Sequence, residues 1–317
     1  MKLNKLLLIF LLLPIYGFSG VFFNTPLNMQ AGDFAQKYAE KKYGIGFEVS
    51  TSTYFPYDDT RGSFAVVLHP EGKGMLPCDL DVNFKQPNKF KMGQLLPSLI
   101  PDSCGQSIVN QKFKNYLEKN IISKYYDPKD IYMGAQLQCL INGKDCALGN
   151  TMDIFNSDQN WNLSTKELLQ KYSDNLGVKL VSVSIFNQKE TPESIAKAIE
   201  FAFELNKYLS SLTGTHKIKI LVIYVYTVSK DTFINKYHKK GILSVKYTKD
   251  NPEGIIYRNI ARFGDGGYSI KYIPITKSNI FDFVSITKSN RKEIENIKNT
   301  KYYQPVKEIL SKSKVIK

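Results

Sequence analysis

The chain has 317 residues, with 43 Lys and Arg against 29 Asp and Glu, a formal charge of +14. An apolar content of 43% with 13% aromatic residues excludes a disordered polyelectrolyte and suits a packed core. The length allows two modest domains or one large one, and beyond the N-terminus no stretch is apolar for the roughly 20 residues that a spanning helix needs.

Lys2 and Lys5 form a small positive region, followed by the unbroken apolar run Leu6 to Leu13, then Pro14-Ile15-Tyr16 and the small residues Gly17 and Ser19. The run is too short to span a bilayer and reads as a secretory signal, residues 1–19, cleaved between Ser19 and Gly20. No Cys stands directly after the cut, so no lipid anchor is expected. The product is expected to be secreted or periplasmic, and soluble or peripherally bound. All four cysteines lie after the cut, and an even number in an exported chain reads as disulfides.

Residues 20–150 read as a small α+β domain. Met29 to Lys42 is a helix with Phe34, Tyr38 and the Ala residues on its apolar side. Phe47 to Tyr54, Ser63 to Leu68 and Leu80 to Phe84 read as strands, and Pro87, Pro97 and Pro101 mark a loop-rich stretch. Asp79 and Asp81 alternate on their strand and so share a face. Paired carboxylates can hold Mg2+ or Mn2+, although alternation on an exposed face accounts for them more simply. Ile108 to Leu117 is a helix. Asn142-Gly143 is a strong two-residue hairpin signal. It sets Ile141 against Lys144, Leu140 against Asp145 and Cys139 against Cys146, within disulfide range. By elimination Cys78 pairs with Cys104. No C-x-x-C spacing favours a tetrahedral metal site instead.

The turn-rich stretch Ala147 to Trp161 is taken as the boundary to a second domain, 151–317. Here Asn156, Asp158, Asn160 and Glu167 fall at positions 1, 3, 5 and 12 of a loop that resembles an EF-hand, which implies a calcium ion held by oxygen ligands. The loop departs from that pattern in placing Asn156 first and Trp161 where a Gly makes the sharp turn. Ser164-x-x-Glu167 also reads as a capping box, with the Asn and Asp residues forming a turn. No other cofactor is expected.

Ser164 to Tyr172 is helical and Val178 to Phe186 is a strand. Thr191-Pro192-Glu193 opens a helix that carries Ile195, Ala198, Ile199, Ala202, Leu205, Leu209 and Leu212 at helical spacing. Ile220 to Tyr226 is apolar throughout and is expected to be a central strand covered on both faces. These elements form a β-α-β unit with parallel strands. Asp231 to Lys240 is a short helix. Ile242 to Tyr247, Ile255 to Phe263 and Tyr268 to Ile275 read as an antiparallel meander. Gly264-Asp265-Gly266-Gly267 is a hairpin turn, since it sits between strands rather than before an anion-binding helix. Asn290-x-x-Glu293 looks like a capping box opening a final helix. Ile275-Thr276-Lys277-Ser278-Asn279 recurs as Ile286-Thr287-Lys288-Ser289-Asn290, two capping loops before short helices. The resulting fold class is α/β or α+β, with a mixed sheet in the order β-α-β-α-β-β-β-α. That order is similar to the thioredoxin fold with one extra strand. The junction Phe186 to Pro192 lacks C-x-x-C, so the likeness implies no dithiol chemistry.

His238-Lys239-Lys240-Gly241 has an H-x-K-G core that resembles half of the active site of the acid deoxyribonuclease family, in the phospholipase D superfamily. The resemblance implies that His238 attacks phosphorus while Lys240 holds the phosphate oxygens. A second H-x-K is absent, and the stretch also reads as a helix C-terminus whose His and Lys complement the dipole.

Charge is uneven along the chain. Residues 215–317 hold 21 Lys and Arg against 8 Asp and Glu, whereas residues 20–214 hold 20 against 21. The asymmetry points to an anionic partner, whether envelope component, polymer or protein, with peripheral membrane contact allowed and no sequence-specific nucleic-acid signature. Lys246, Lys249, Arg258, Arg262 and Lys271 share the expected meander and are the candidate contacts. The expected function is therefore binding. The second expectation is a secreted hydrolase of phosphodiester or polysaccharide substrates using His238 and Lys240.

Overall fold

The computed structural model describes residues 26–56, 61–72, 75–85, 94–97, 102–141, 144–146, 153–213, 218–239, 267–271, 279–287 and 294–313. The secretory signal expected over 1–19 lies outside them. The architecture is mixed α/β, and both disulfides, Cys78–Cys104 and Cys139–Cys146, are formed as expected. Contacts divide the chain into two compact units, Met1–Ile108 and Val109–Lys317.

The first unit contains α1 (Pro26–Tyr43), β1 (Phe47–Pro56), β2 (Arg61–Pro70), β3 (Cys78–Lys85), β4 (Gln94–Pro97) and the first turn of α2 (Cys104–Asn120). Its strands form an antiparallel sheet in the order β1-β2-β3-β4. The register sets Phe64 against Val82, Val66 against Leu80 and Leu68 against Cys78, and all six are buried. Their odd-numbered neighbours on β2 and β3 turn to the other face, as the period of two requires. Helix α1 packs on this sheet. It approaches through small residues, with Ala31, Ala35 and Ala39 fully buried. A Cβ at Gly32 would stand 3.1 Å from Val49 Cγ1. Phe34 and Tyr38, read as the leading apolar residues of this helix, are only half-buried beside that stripe. The Pro-rich stretch read as loop contains β4, paired with β3 through Pro97 opposite Val82. Proline is tolerated there because β4 is an edge strand.

A buried carboxylate fixes the start of α2. Asp102 Oδ1 accepts from the Tyr43 hydroxyl at 2.5 Å and from Cys104 N at 2.9 Å, while Oδ2 accepts from Lys42 Nζ at 2.7 Å. The Tyr43 oxygen in turn accepts from Gly105 N at 3.1 Å. Two orphan N–H groups of the helix are thereby met, and the adjacent Cys78–Cys104 bridge ties the same turn to β3. Burial, and then the Asp102 charge, push the Tyr43 phenol well above the usual tyrosine range.

The second unit is built on a seven-stranded sheet in the order β11-β10-β9-β8-β7-β5-β6. These strands are β5 (Ile131–Ile141), β6 (Lys144–Asp145), β7 (Leu176–Ile185), β8 (Ile218–Tyr226), β9 (Gly267–Lys271), β10 (Val284–Thr287) and β11 (Ile294–Asn296). Strands β5 and β6 have the anticipated hairpin register, Leu140 opposite Asp145 and Ile141 opposite Lys144. Strand β5 also pairs antiparallel with β7 along most of its length. That pairing places the cysteine hairpin in the second unit, downstream of the division at Ile108. The β-α-β reading holds: β7 and β8 are parallel, joined by α4 (Pro192–Thr213). Ile195, Ala198, Ile199, Ala202, Leu205 and Leu209 are buried, and α4 packs on the sheet. Val181, Val183 and Ile185 register with Leu221, Ile223 and Val225 on the covered face.

Three expectations are corrected. Strand β8 is not covered on both faces, because the helix side takes only alternate residues and Ile220 is 45% exposed on the other. The last helix, α6 (Tyr303–Lys312), begins well after Asn290, since 294–296 is drawn into the sheet as β11 against β10. For the same reason the second copy of the short repeat contributes Ile286 and Thr287 to β10, while the first leads through Asn279 into a 3-10 turn, Ile280–Phe283. The strands expected at 242–247 and 255–263 lie outside the described residues. Among the described residues the element order from β7 onward is β-α-β-α-β-β-β-α, but its last three strands are β9, β10 and β11, of which only β9 lies in the expected meander, and α5 (Lys230–Lys239) stands between β8 and β9.

The bulge between Gln136 and Leu137 interrupts the β5–β7 ladder. The Leu137 N–H donates instead to buried Asn110 Oδ1 of α2 at 2.9 Å. Lys114, one turn later on α2, lies over the ring of Tyr132, which is further back on β5, so α2 runs beside β5 in the opposite direction.

Two outcomes test these contacts. Replacing Asn110→Ala leaves the buried Leu137 N–H unmet and is expected to lower stability by about 1–3 kcal/mol, measured by denaturant unfolding; an unchanged midpoint would refute the role. Tyr43→Phe is expected to cost a similar about 1–3 kcal/mol. In the parent chain stability is retained below pH ~10 and falls above it, because the unfolded chain then releases the tyrosine proton that the folded one keeps. The Phe variant should lose part of that alkaline slope, and identical slopes would remove Tyr43 from the argument.

Candidate functional site

The oxygen-rich loop of the second unit is fully described. A 3-10 turn, Asn160–Asn162, leads into α3 (Thr165–Lys171), which Ser164 caps. The Ser164 Oγ accepts from Glu167 N at 3.3 Å, and the Glu167 carboxylate accepts from Ser164 N at 2.8 Å. These reciprocal bonds pull the Glu167 carboxyl below its usual range. The capping box inferred from sequence is therefore present, and it occupies the residue that a calcium loop needs last.

Asp158 and Gln159 both take left-handed backbone conformations, with φ of 49° and 55°, and so make the turn that Trp161 cannot. Asn160 is fully buried. Its amide donates to Ile154 O at 2.5 Å and to the Tyr172 hydroxyl at 2.8 Å. Its carbonyl oxygen accepts from Lys171 Nζ at 2.9 Å, and the same ammonium lies 3.6 Å from the Asp158 carboxylate. A second ammonium, Lys112 Nζ from α2, donates to Trp161 O at 2.6 Å and Leu163 O at 3.3 Å. Burial lowers the Lys112 pKa, opposed by the Glu167 charge. Two lysines thus supply the positive charge that the resemblance assigned to calcium. Asn156 stands in the helical turn at 153–156, ahead of this arrangement. Sequence reasoning missed Lys112, which lies 49 residues from Trp161 and carries no local signal. Lys171 was read only as part of a helix.

The other candidates are more dispersed. Asp79 and Asp81 lie on one face of β3, and burial followed by the Asp81 charge raises the Asp79 carboxyl. Among the described residues no group of three or more His, Cys, Asp or Glu is placed to hold a metal. His238 falls in the last turn of α5, and Lys240 lies outside the described residues. Of the five expected basic contacts, Lys271 stands at the end of β9 opposite Val222; Lys246, Lys249, Arg258 and Arg262 lie outside the described residues.

The described part of the basic region is the corner formed by 279–287 and 294–313. Asn296 organises it. Its Oδ1 accepts from Lys298 N at 2.9 Å, and its amide donates to Phe281 O at 3.2 Å and Asp282 O at 3.1 Å. Lys298 pairs with Asp282, which raises the lysine pKa. Lys312 pairs with Glu308 at 2.9 Å, one turn apart on α6, and lowers that carboxyl. Lys301 instead lies 5.2 Å above the ring of Tyr302, and Lys307 lies 5.8 Å above that of Tyr303. Tyr303 packs edge-on against Phe281. Val306 and Leu310, the apolar side of α6, are buried, and α6 packs on α4. No described helix is long and apolar enough to cross a membrane.

No protein-family model, curated protein or solved structure matches this chain.

The loop chemistry makes one prediction. With Lys171 bridging Asp158 and Asn160, and Glu167 held by Ser164, millimolar calcium or a chelator should leave the melting temperature unchanged. A calcium-dependent rise of several degrees would restore the ion-binding reading.

Proposed function

We propose that this is an exported, disulfide-bonded protein that works by binding an anionic partner outside the cytosol, through its basic C-terminal third. The observation that carries the reading is the distribution of charge: 21 basic against 8 acidic residues over 215–317, and near balance before that. Within the described corner, Asp282 and Glu308 pair with Lys298 and Lys312, whereas the ammoniums of Lys301 and Lys307 lie over tyrosine rings. A surplus of this kind attracts polyanions and steers their encounter. The two disulfides support an oxidising compartment, and the charged start, apolar run and small-residue site over 1–19 support removal of that segment on export.

The hydrolase reading rests on His238 and Lys240. It needs a second such pair, and no His follows His238 in the chain.

Fractionation with mass spectrometry tests the proposal. The expected product begins at Gly20, carries no free thiol and is found outside the cytosol. Its retention on an anionic matrix should fall steeply as salt rises from about 50 mM to 500 mM, as screening demands. Recovery from the cytosol of an intact chain with four free thiols, or retention insensitive to salt, would overturn it.

A further inference from the structure

We propose that the Cys139–Cys146 bridge is a site of reversible thiol–disulfide exchange, entered at the Cys146 sulfur by a low-molecular-weight thiol. Cys78–Cys104, in contrast, is a permanent cross-link. The two bridges differ in the burial of their cysteines and in how much structure must part to release them.

Exchange begins when a thiolate reaches one sulfur of the bond, so its rate depends on access. Three of the four bridged cysteines are closed off: Cys78 is 1% exposed, Cys104 0% and Cys139 3%. Cys146 is partly exposed.

The surroundings of Cys78–Cys104 hold it shut. Its flanking residues are joined by their own bonds: Ser103 N donates to Asp79 O at 3.0 Å, and Asp79 N donates to Ser103 Oγ at 2.7 Å. Ser107 Oγ, one turn along α2, donates to Leu76 O at 2.5 Å. Asp102 accepts from Cys104 N, and buried Leu68 stands opposite Cys78. Exposing either sulfur requires the start of α2 to leave β3, which is a sub-global opening.

Cys139–Cys146 needs far less. Cys139 belongs to the long strand β5, opposite Leu176 of β7, and the next N–H, of Leu140, donates to Asn175 O at 2.8 Å. Cys146 follows β6, the last strand of the described sheet, which pairs with β5 at two positions. Cys146 N also donates to Cys139 O at 3.2 Å. Fraying this short ladder releases Cys146 while Cys139 stays in the sheet, and local openings of that kind cost far less than the parting of core elements.

The chemistry follows from this asymmetry. The incoming thiolate bonds to the Cys146 sulfur as the bond to Cys139 breaks. The electron pair leaves on the Cys139 sulfur, which takes a proton from solvent. The incoming sulfur is oxidised as that of Cys139 is reduced, so no other oxidant or reductant enters. The products are a mixed disulfide on Cys146 and a thiol at Cys139. In the reverse direction the Cys139 thiolate, held in place between β6 and β7, attacks Cys146 and expels the small thiol. A small attacker suits the partial exposure of Cys146, whereas a protein thiol would have to bring its bulk up to the same sulfur.

The test uses the folded mature chain without denaturant, with reduced glutathione as the probe. Free thiols are alkylated at intervals and located by peptide mass spectrometry. Mixed disulfide should form on Cys146, with the alkylated thiol on Cys139, about a hundredfold faster than Cys78–Cys104 opens. Circular dichroism should stay unchanged, and removing glutathione before alkylation should restore the bridge. Two single variants compare the sulfurs directly. In Cys139→Ser the remaining Cys146 thiol should react with glutathione disulfide in the folded state. In Cys146→Ser the Cys139 thiol should react only after denaturant is added. Mixed disulfide on Cys139, or equal reactivity of the two variants, would show that Cys146 is not the point of entry. Equal opening of both bridges, no exchange at all, or thiol release only in step with loss of the circular dichroism signal overturns the exchange site. Exchange with a reduced dithiol protein but not with glutathione overturns the choice of a small thiol. None of these readouts involves an anionic partner, so failure here leaves the proposed function standing.

Discussion

A buried backbone N–H has to find an acceptor, and the bulge in β5 creates one at Leu137 that the sheet cannot serve. Asn110 meets it from α2, and much of the second unit's local arrangement follows from the helix being held there. The side chains at 112, 114 and 116 then fall beside three further elements. Lys112 reaches the carbonyls of Trp161 and Leu163, Lys114 covers the ring of Tyr132, and Tyr116 stacks on Tyr208 of α4. One polar residue at a bulge thus helps to orient a helix that clamps a loop and meets a second helix.

The loop clamped by Lys112 shows how an ion-binding pattern can be satisfied without an ion. Runs of Asn and Asp carry oxygens that need a positive partner when buried, and burying them unmet is costly. A calcium ion is one solution. Lysine ammoniums on stems long enough to reach in are another, and Lys171 and Lys112 provide it. The two solutions look alike in the oxygen positions and differ in the cation, which comes from elsewhere in the chain. Asn160 is the pivot: fully buried, it uses its amide and its carbonyl at once. That explains why an amide stands at the third candidate ligand position, since a carboxylate could not donate to Ile154 O and Tyr172.

Local patterns were legible wherever local chemistry decides the structure. The Asn142-Gly143 turn set the register that closes Cys139 onto Cys146, and Ser164 with Glu167 formed the box that their spacing of three implies. The apolar spacing of α4 translated directly into a buried stripe. Failures came where tertiary pairing overrides local signal. Ile294-Glu295-Asn296 has little strand character alone and becomes β11 because β10 offers an edge. Val284 to Thr287 alternates as a strand should, but its repeat of the 275–279 sequence suggested a loop. An all-apolar β8 suggested cover on both faces, yet Ile220 stands half exposed. For the site, composition located the basic third, while the distinction between neutralised and unneutralised lysines required their partners to be seen.

That distinction governs how the net charge should be interpreted. A formal excess spread over a surface acts at a distance and decays over about 10 Å at 0.1 M salt, so by itself it concentrates partners without selecting them. Selection needs charges at fixed positions. In the described corner, Asp282 and Glu308 pair with Lys298 and Lys312 and cancel their charge, whereas Tyr302 and Tyr303 lie beneath Lys301 and Lys307 and bring no charge to cancel. Carboxylates and rings thus both draw an ammonium, with opposite results for the charge it presents. The aromatic content of this region therefore contributes to how its charge is presented as well as to its core.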